Sequence, residues 1–248
     1  MSRRRILLIG ATGLIGRAVM QCAVGDDDIH LAAVARRRVG LPEGARMEMF
    51  VAGIEHWAEI IESLQPDCVV CALGTTWAKA GEDEAAFRAV DEKLVLDVAQ
   101  ATKNANIRQF ICVSAIGADR SSRHLYMRVK GEVEAALQKM RFVRLDILRP
   151  GQLRGERVED PRPREQWLAR LSRVLDLFLH GGMRRFRSIS AAHMAEAILD
   201  LAQEKAGGRF VHEYDALMRA ARRLERSRAE RAAIEQGEVG KGGNGKLA

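Results

Sequence analysis

Apolar positions along this chain gather into short runs that alternate with segments of helical period. "RILLIG", "HLAAVAR", "ARMEMFVAG", "DCVVCALG", "IRQFICVSA" and "FVRLDILRP" read as strands, the third weakened by its charges. Between them, "LIGRAVMQCAV", "AEIIESL", "EAAFRAVDEKLVLDVAQATKNA" and a stretch reaching about Met140 space their apolar residues as one-sided helices do. Nearly continuous apolar strands separated by helices predict a parallel sheet covered on both faces, because a strand buried on both sides has no polar face to show. The fold class expected is therefore α/β, a doubly wound parallel sheet. Such sheets take their ligands beyond the carboxyl ends of the strands.

The alternation stops after Pro150. "GQLRGERVEDPRPREQWL" is charged and contains prolines, so it reads as a loop, and "WLARLSRVLDLFL" and "SAAHMAEAILDLA" are helical. From Tyr214 the pattern is a charged helix, then a glycine-rich tail, "GEVGKGGNGKLA". The expected organisation is one doubly wound domain over 1–215, with 151–190 as a lid beside the carboxyl ends of its strands. A charged helix over 216–236 with a solvated face follows, then a disordered tail over 237–248.

With 248 residues the chain can bury a substantial core, and its net charge of +7 suits an anionic ligand. Acids are interleaved with the basic residues and no recognition motif is present, so nucleic acid is not an expected partner. No run approaches a membrane span, and the apolar run in "MSRRRILLIGATG" is broken by glycines before it could serve as a signal peptide. The expected location is the cytoplasm. Cys68 and Cys71 form a C-x-x-C, but residues three apart on a strand face opposite ways, and no histidine or second cysteine pair adds metal ligands at the right spacing. They read as core residues, and with Cys22 and Cys112 they give neither a disulfide framework nor a metal site.

The first chemical signal is "LLIGATGLIGRAV". Gly10, Gly13 and Gly16 stand directly after the first strand and at the entry to the first helix. Glycines there permit a tight turn, close approach to a pyrophosphate and close helix–strand packing, while the helix N-terminus faces the phosphates. Thr12, Leu14 and Ile15 share that loop and are expected to line the cofactor. At the end of the second strand, where an NAD site would carry a carboxylate for the ribose, "AVARRRVG" supplies Arg36, Arg37 and Arg38. Guanidinium groups suit the additional phosphate of NADP, so NADP(H) is expected in preference to NAD(H), with Arg36 and Arg37 as its ligands.

The second signal is "SAIGADRSSRHLYMRVKGEVEAAL". Ser114 ends the fifth strand, at the ligand-binding edge. Tyr126 and Lys130 lie one helical turn apart on a common face. A phenol is a poor acid–base catalyst until a neighbouring ammonium lowers its pKa, and a serine hydroxyl can hydrogen-bond a substrate carbonyl.

Through these residues the chain resembles the short-chain dehydrogenase/reductases. "CALGTTWAKAG", "AVDEKLVLDVAQ", "SAIGADRSSRHLYMRVKGEVE" and "ILRPGQLRGER" make it similar, more narrowly, to the atypical Tat-interacting-protein-like members, over roughly residues 5 to 215. The resemblance implies a Rossmann fold, NADP(H) binding and catalytic positions at Ser114, Tyr126 and Lys130. In that scheme Tyr126 is the general acid or base and Ser114 polarises the carbonyl. Lys130 anchors the nicotinamide ribose and modulates the tyrosine. It further implies that Leu73, Gly74 and Thr75 lie near the cofactor and that Pro150 and Gly151 lie near the nicotinamide. One departure is "VAGIE", where Gly53 stands near the place of an adenine-binding aspartate. Two functions are compatible with this pattern. One is an NADP(H)-dependent oxidoreductase of a carbonyl or alcohol substrate; the other is an NADP(H)-binding regulatory or protein-interaction protein with little turnover. Dimerisation through exposed helices is compatible with both.

Overall fold

The computed structural model describes residues 3–155 and 181–242, with side chains up to Ile234. Strand β1 (Arg4–Ile9) leads into helix α1 (Leu14–Cys22), followed by β2 (Ile29–Ala35) and β3 (Glu48–Val51). Helix α2 (Trp57–Leu64) precedes β4 (Cys68–Cys71). Helix α3 (Glu84–Arg88) continues through a π turn (Ala89–Leu94) into α4 (Val95–Asn104). Then come β5 (Gln109–Val113), α5 (Leu125–Lys139), β6 (Arg144–Leu148) and β7 (Leu153–Arg154). After a 3-10 turn (Gly181–Phe186) the chain forms β8 (Ile189–Ser190), α6 (Ala191–Gln203), β9 (Gly208–His212) and α7 (Tyr214–Gly242).

The main sheet has the order β3-β2-β1-β4-β5-β6-β9, and every described pairing in it is parallel. The chain winds outward from β1 to β3 in one direction and from β4 to β9 in the other. The crevice between the carboxyl ends of β1 and β4 is the switch point where such sheets receive ligands. Ile6, Leu8, Val70 and Ile111 pack on one face against α1, α6 and α7, while Leu7, Ile9, Val69 and Phe110 pack on the other against α2, α4 and α5. Cys68 belongs to the first layer and Cys71 to the second, as residues three apart on a strand must. Cys71 is paired in register with Cys112 on β5.

The sheet corresponds to the doubly wound class expected, with all six strands read from the pattern in place. The seventh, β9, was not anticipated. "GRFVH" begins on the second of two glycines and stands at the sheet edge with Phe210 and Val211 exposed, so it shows no apolar run. A buried polar cluster secures it. Arg144 grips Asp146 at 2.7 and 2.9 Å, and His212 Nε2 on β9 lies 2.9 Å from the same carboxylate.

Helix α7 has the solvated face expected and, in addition, a buried stripe. Leu217, Ala220, Ala221 and Leu224 are buried within the core layer that α6 also enters. That spacing is helical, but two of its members are alanines, and the arginines between them conceal the stripe. Arg228 donates to Asp26 and to the Cys22 carbonyl, both at 2.8 Å, which ties α7 to the end of α1. Helical backbone runs past Gln236, the expected end, to Gly242. The tail beyond it, and the part of the expected lid between 156 and 180, lie outside the described residues.

Candidate active site

The cleft begins at the glycine turn. Gly10 has φ +99°, a conformation side chains disfavour, and a Cβ there would lie 2.7 Å from the Ala72 backbone. A Cβ on Gly16 would lie 2.2 Å from the Gly10 carbonyl oxygen, so α1 sits directly on the turn. Gly13 caps α1, and no acidic residue occupies its first turn. The helix N-terminus therefore offers N–H groups and a positive dipole end with no carboxylate beside them, which is the environment a phosphate needs.

Two cavities share Thr12, Gly13, Ala72, Leu73 and Gly74 as common walls and form one trough across the switch point. The first, about 300 Å³, is bounded by Gly10, Arg36, Ile54 and Lys93. The second, about 260 Å³, is bounded by Leu14, Ile15, Thr75, Ser114, Tyr126 and Lys130. The residues that line this trough fit an extended dinucleotide. Ile54, next to the glycine of "VAGIE", supplies an apolar wall at the end where an adenine-binding carboxylate was missing from the sequence.

Most of the expected residues meet here, with four exceptions. Gly16 lies beneath the turn, against the Gly10 carbonyl, and is not among the walls of either cavity. Arg37 lines a neighbouring depression with Arg17 and Arg38, apart from Arg36. Pro150 and Gly151 are not among the walls of either cavity. The Pro150 carbonyl accepts from Ile116 N at 2.9 Å, and a Cβ on Gly151 would lie 2.4 Å from the Arg187 carbonyl oxygen. These two residues hold the loop after β6 against its neighbours, and Leu153 is the cleft wall from that segment.

At the reactive end, α5 carries Tyr126 in its first turn and Lys130 one turn later. The Tyr126 ring packs on buried Phe87 at 5.8 Å between centroids, and Phe87 meets Trp77 at 6.2 Å. Lys130, only 5 % exposed, ion-pairs with Asp91 at 2.9 Å. Asp91, in the π turn, also accepts from Thr75 N at 2.7 Å and so links α5 to the loop after β4. Arg88, one turn earlier, reaches Glu132 on α5 at 2.7 Å and braces the same contact from outside. Ser114, 5 % exposed, donates its hydroxyl proton to Glu134, which is held by Arg149 at 2.5 Å.

The electrostatics differ from the expected activation of the tyrosine. Tyr126 keeps 37 % of its surface exposed, and the desolvation it does undergo pushes the phenol up from its ordinary value; Lys130 opposes this, and Asp91 reinforces it. The lysine acts in the expected direction but is outweighed. Burial also works to lower Lys130, yet Asp91 above all, then Tyr126, more than offset it and hold the ammonium above its ordinary range. With no other group bound, Tyr126 is a neutral phenol and Lys130 a charged ammonium at neutral pH.

Sequence reasoning missed Asp91, Glu134, Arg149 and Phe87. Only Glu134 left a readable trace. It follows Tyr126 and Lys130 at the same four-residue step and so shares their helix face.

The glycine turn at the switch point of a parallel seven-stranded sheet defines an NAD(P)-binding protein of the atypical short-chain dehydrogenase/reductase kind. The chain belongs to the NAD(P)H-binding family, whose model matches residues 10–205. It is 36% identical over 174 residues to Protein HTATIP2 of Rattus norvegicus, covering 68% of this chain and 70% of that one. It is 32% identical over 202 residues to Protein FMP52-1, mitochondrial, of Scheffersomyces stipitis, covering 79% and 87%. Among solved structures it is similar in fold to the Bordetella bronchiseptica enzyme WbmH in complex with NAD+. The TM-score is 0.64 at 15% identity, covering 85% of this chain and 76% of that one. Among the described residues no helix is long and apolar enough to cross a membrane.

Proposed function

We propose that the chain is an NADP(H)-dependent oxidoreductase of a carbonyl or alcohol substrate, working through Ser114, Tyr126 and Lys130. The observation that carries this reading is their convergence on the trough that also contains the glycine turn. A bound nicotinamide would supply or accept the hydride. Tyr126, neutral at rest, holds the proton that a reduced carbonyl oxygen requires, and removes it in the reverse direction. Ser114 holds the substrate oxygen. Lys130 keeps a fixed positive charge beside the tyrosine that favours its ionised form as the proton leaves. Arg36 on the trough wall, with no carboxylate at the end of β2, supports a preference for the 2′-phosphate of NADP(H) over NAD(H).

Titration with NADPH and NADH, followed by cofactor consumption against a panel of aldehydes and ketones, tests the proposal. NADPH binding with turnover of a carbonyl is expected, and binding without turnover across the panel would overturn the enzymatic part. A second reading, an NADP(H)-binding regulatory or interaction protein with little turnover, is favoured by one feature. Asp91 and Glu134 already engage Lys130 and Ser114. A homodimer belongs to the proposal as well, and sedimentation of the purified chain reads it. So does a cytoplasmic location, although the fungal relatives carry the word mitochondrial in their names; fractionation of cells expressing the tagged chain decides between the two.

A further inference from the structure

We propose that Glu134, backed by Arg149, is the positioning residue for Ser114 and fixes the hydroxyl that meets the substrate oxygen. The inference rests on the reading of Ser114 as a substrate contact. Glu134 is 3 % exposed, and a carboxylate so placed is costly unless it is compensated. Arg149 compensates it. The guanidinium donates to Oε2 at 2.5 and 3.1 Å and to Oε1 at 3.0 Å, a forked arrangement that uses both oxygens.

A purely structural ion pair would be complete at that point, yet Oε1 also accepts the Ser114 hydroxyl at the cleft wall. The Ser114 backbone is fixed as well, since its N–H donates to the Leu148 carbonyl at 2.7 Å. A free serine hydroxyl samples several rotor positions, whereas one bonded to a buried carboxylate is held in one of them. The proton then points to Glu134, and the Oγ lone pairs face the cleft, where they accept from the hydroxyl of an alcohol substrate.

The helix makes this arrangement economical. Tyr126, Lys130 and Glu134 follow one another at four-residue steps along α5, so they share a face. One rigid element thereby carries the proton donor, the fixed positive charge and the anchor of the serine. Reacting groups need to be held within a fraction of an ångström, and a shared helix does this for three of them together.

The test uses the full chain and a thiol reporter. Ser114→Cys places a thiol against Glu134, and site-localised mass spectrometry follows its alkylation by iodoacetamide as a function of pH. The carboxylate disfavours the thiolate, so adding Glu134→Gln should lower the apparent thiol pKa by at least about one unit. Identical pH profiles in the two backgrounds would overturn the proposal. This readout needs no turnover, so it remains decisive even if the oxidoreductase reading fails.

With an accepted alcohol substrate, Glu134→Gln should reduce kcat for its oxidation at least about tenfold while NADP+ affinity stays constant. In a Ser114→Ala background the same substitution should cost less than about twofold, because a residue that acts through the serine has nothing left to position. Equal losses in both backgrounds would make Glu134 structural and overturn the assignment. If Glu134→Gln does not fold, its combination with Arg149→Met removes both charges of the pair and carries the same two measurements.

Discussion

The two ends of the trough are built by different physics. At the glycine end the cleft is bare backbone. Gly10 turns with positive φ, α1 begins at once, and Gly16 lets the helix rest on the turn. Phosphate binding there would rest on N–H groups and a helix dipole, which need only a few adjacent residues to be in place. At the tyrosine end the cleft is made of side chains held by buried charges. Asp91 fixes Lys130, and Arg149 fixes Glu134, which in turn fixes Ser114. Each of those pairs joins residues distant in the chain, and each is stable only because its partner is present. The glycine end should therefore fail by steric crowding and the tyrosine end by the loss of a charge.

The largest effect expected is at Asp91. Asp91→Ala leaves the Lys130 ammonium buried without its carboxylate, which should cost about 3–5 kcal/mol of stability, measured by chemical denaturation. The pH dependence sharpens this. Because the folded-state pKa of Lys130 is raised, the pair's contribution is complete below the unfolded lysine value of about 10.5 and is lost only as pH rises through the folded value. In Asp91→Ala burial lowers the unpaired lysine instead, so the gap should narrow as pH rises from the point where the variant's Lys130 gives up its proton. A gap that stays level at every pH up to about 10.5 would show that Asp91 does not hold a charged lysine.

Next comes Tyr126, the proton donor of the proposed reaction. Tyr126→Phe keeps the ring on Phe87 and removes only the hydroxyl. Reduction of an accepted carbonyl should fall at least about 100-fold, equivalent to about 2.7 kcal/mol in the barrier, with NADPH affinity unchanged. Steady-state turnover alongside cofactor titration reads this. Full activity in the variant would remove Tyr126 from the chemistry.

At the other end, Gly16→Ala drives a methyl group into the Gly10 carbonyl. A loss of about 1–3 kcal/mol is expected, together with weaker binding of both NADPH and NADH. Unchanged affinity for the two cofactors would break the contrast, since the turn would then tolerate what its geometry forbids. The smallest effect is at Arg36. Arg36→Ala should weaken NADPH about tenfold, or about 1.4 kcal/mol, and leave NADH unaffected, as calorimetry would show. An equal loss for both would mean that Arg36 contacts a part common to the two cofactors.

The contrast between the two ends also explains what could be read in advance. Six strands, their parallel arrangement and the glycine turn follow from local signals: apolar runs, helical spacing and glycines at a strand–helix junction. Tyr126 and Lys130 were legible for the same reason, because a four-residue step on a helix is a local fact. Strand β9 was not, since an edge strand needs no apolar face. The core stripe of α7 was hidden too, because alanines among arginines look like a solvated helix until α6 is known to lie against them.

The sequence alone therefore determined where the glycine turn and a tyrosine–lysine pair occur, since neighbouring residues and helical spacing specify both. Only the tertiary structure decided how those groups are held and charged. The partner of Lys130 comes from the π turn of another helix, the partner of Ser114 from α5, and the partner of Glu134 from the end of β6. Burial, which outweighs Lys130 in setting the Tyr126 phenol, is a property of the packed fold and of no single segment. Coulombic and desolvation energies depend on distance in space and on what surrounds a group, and separation along the chain specifies neither.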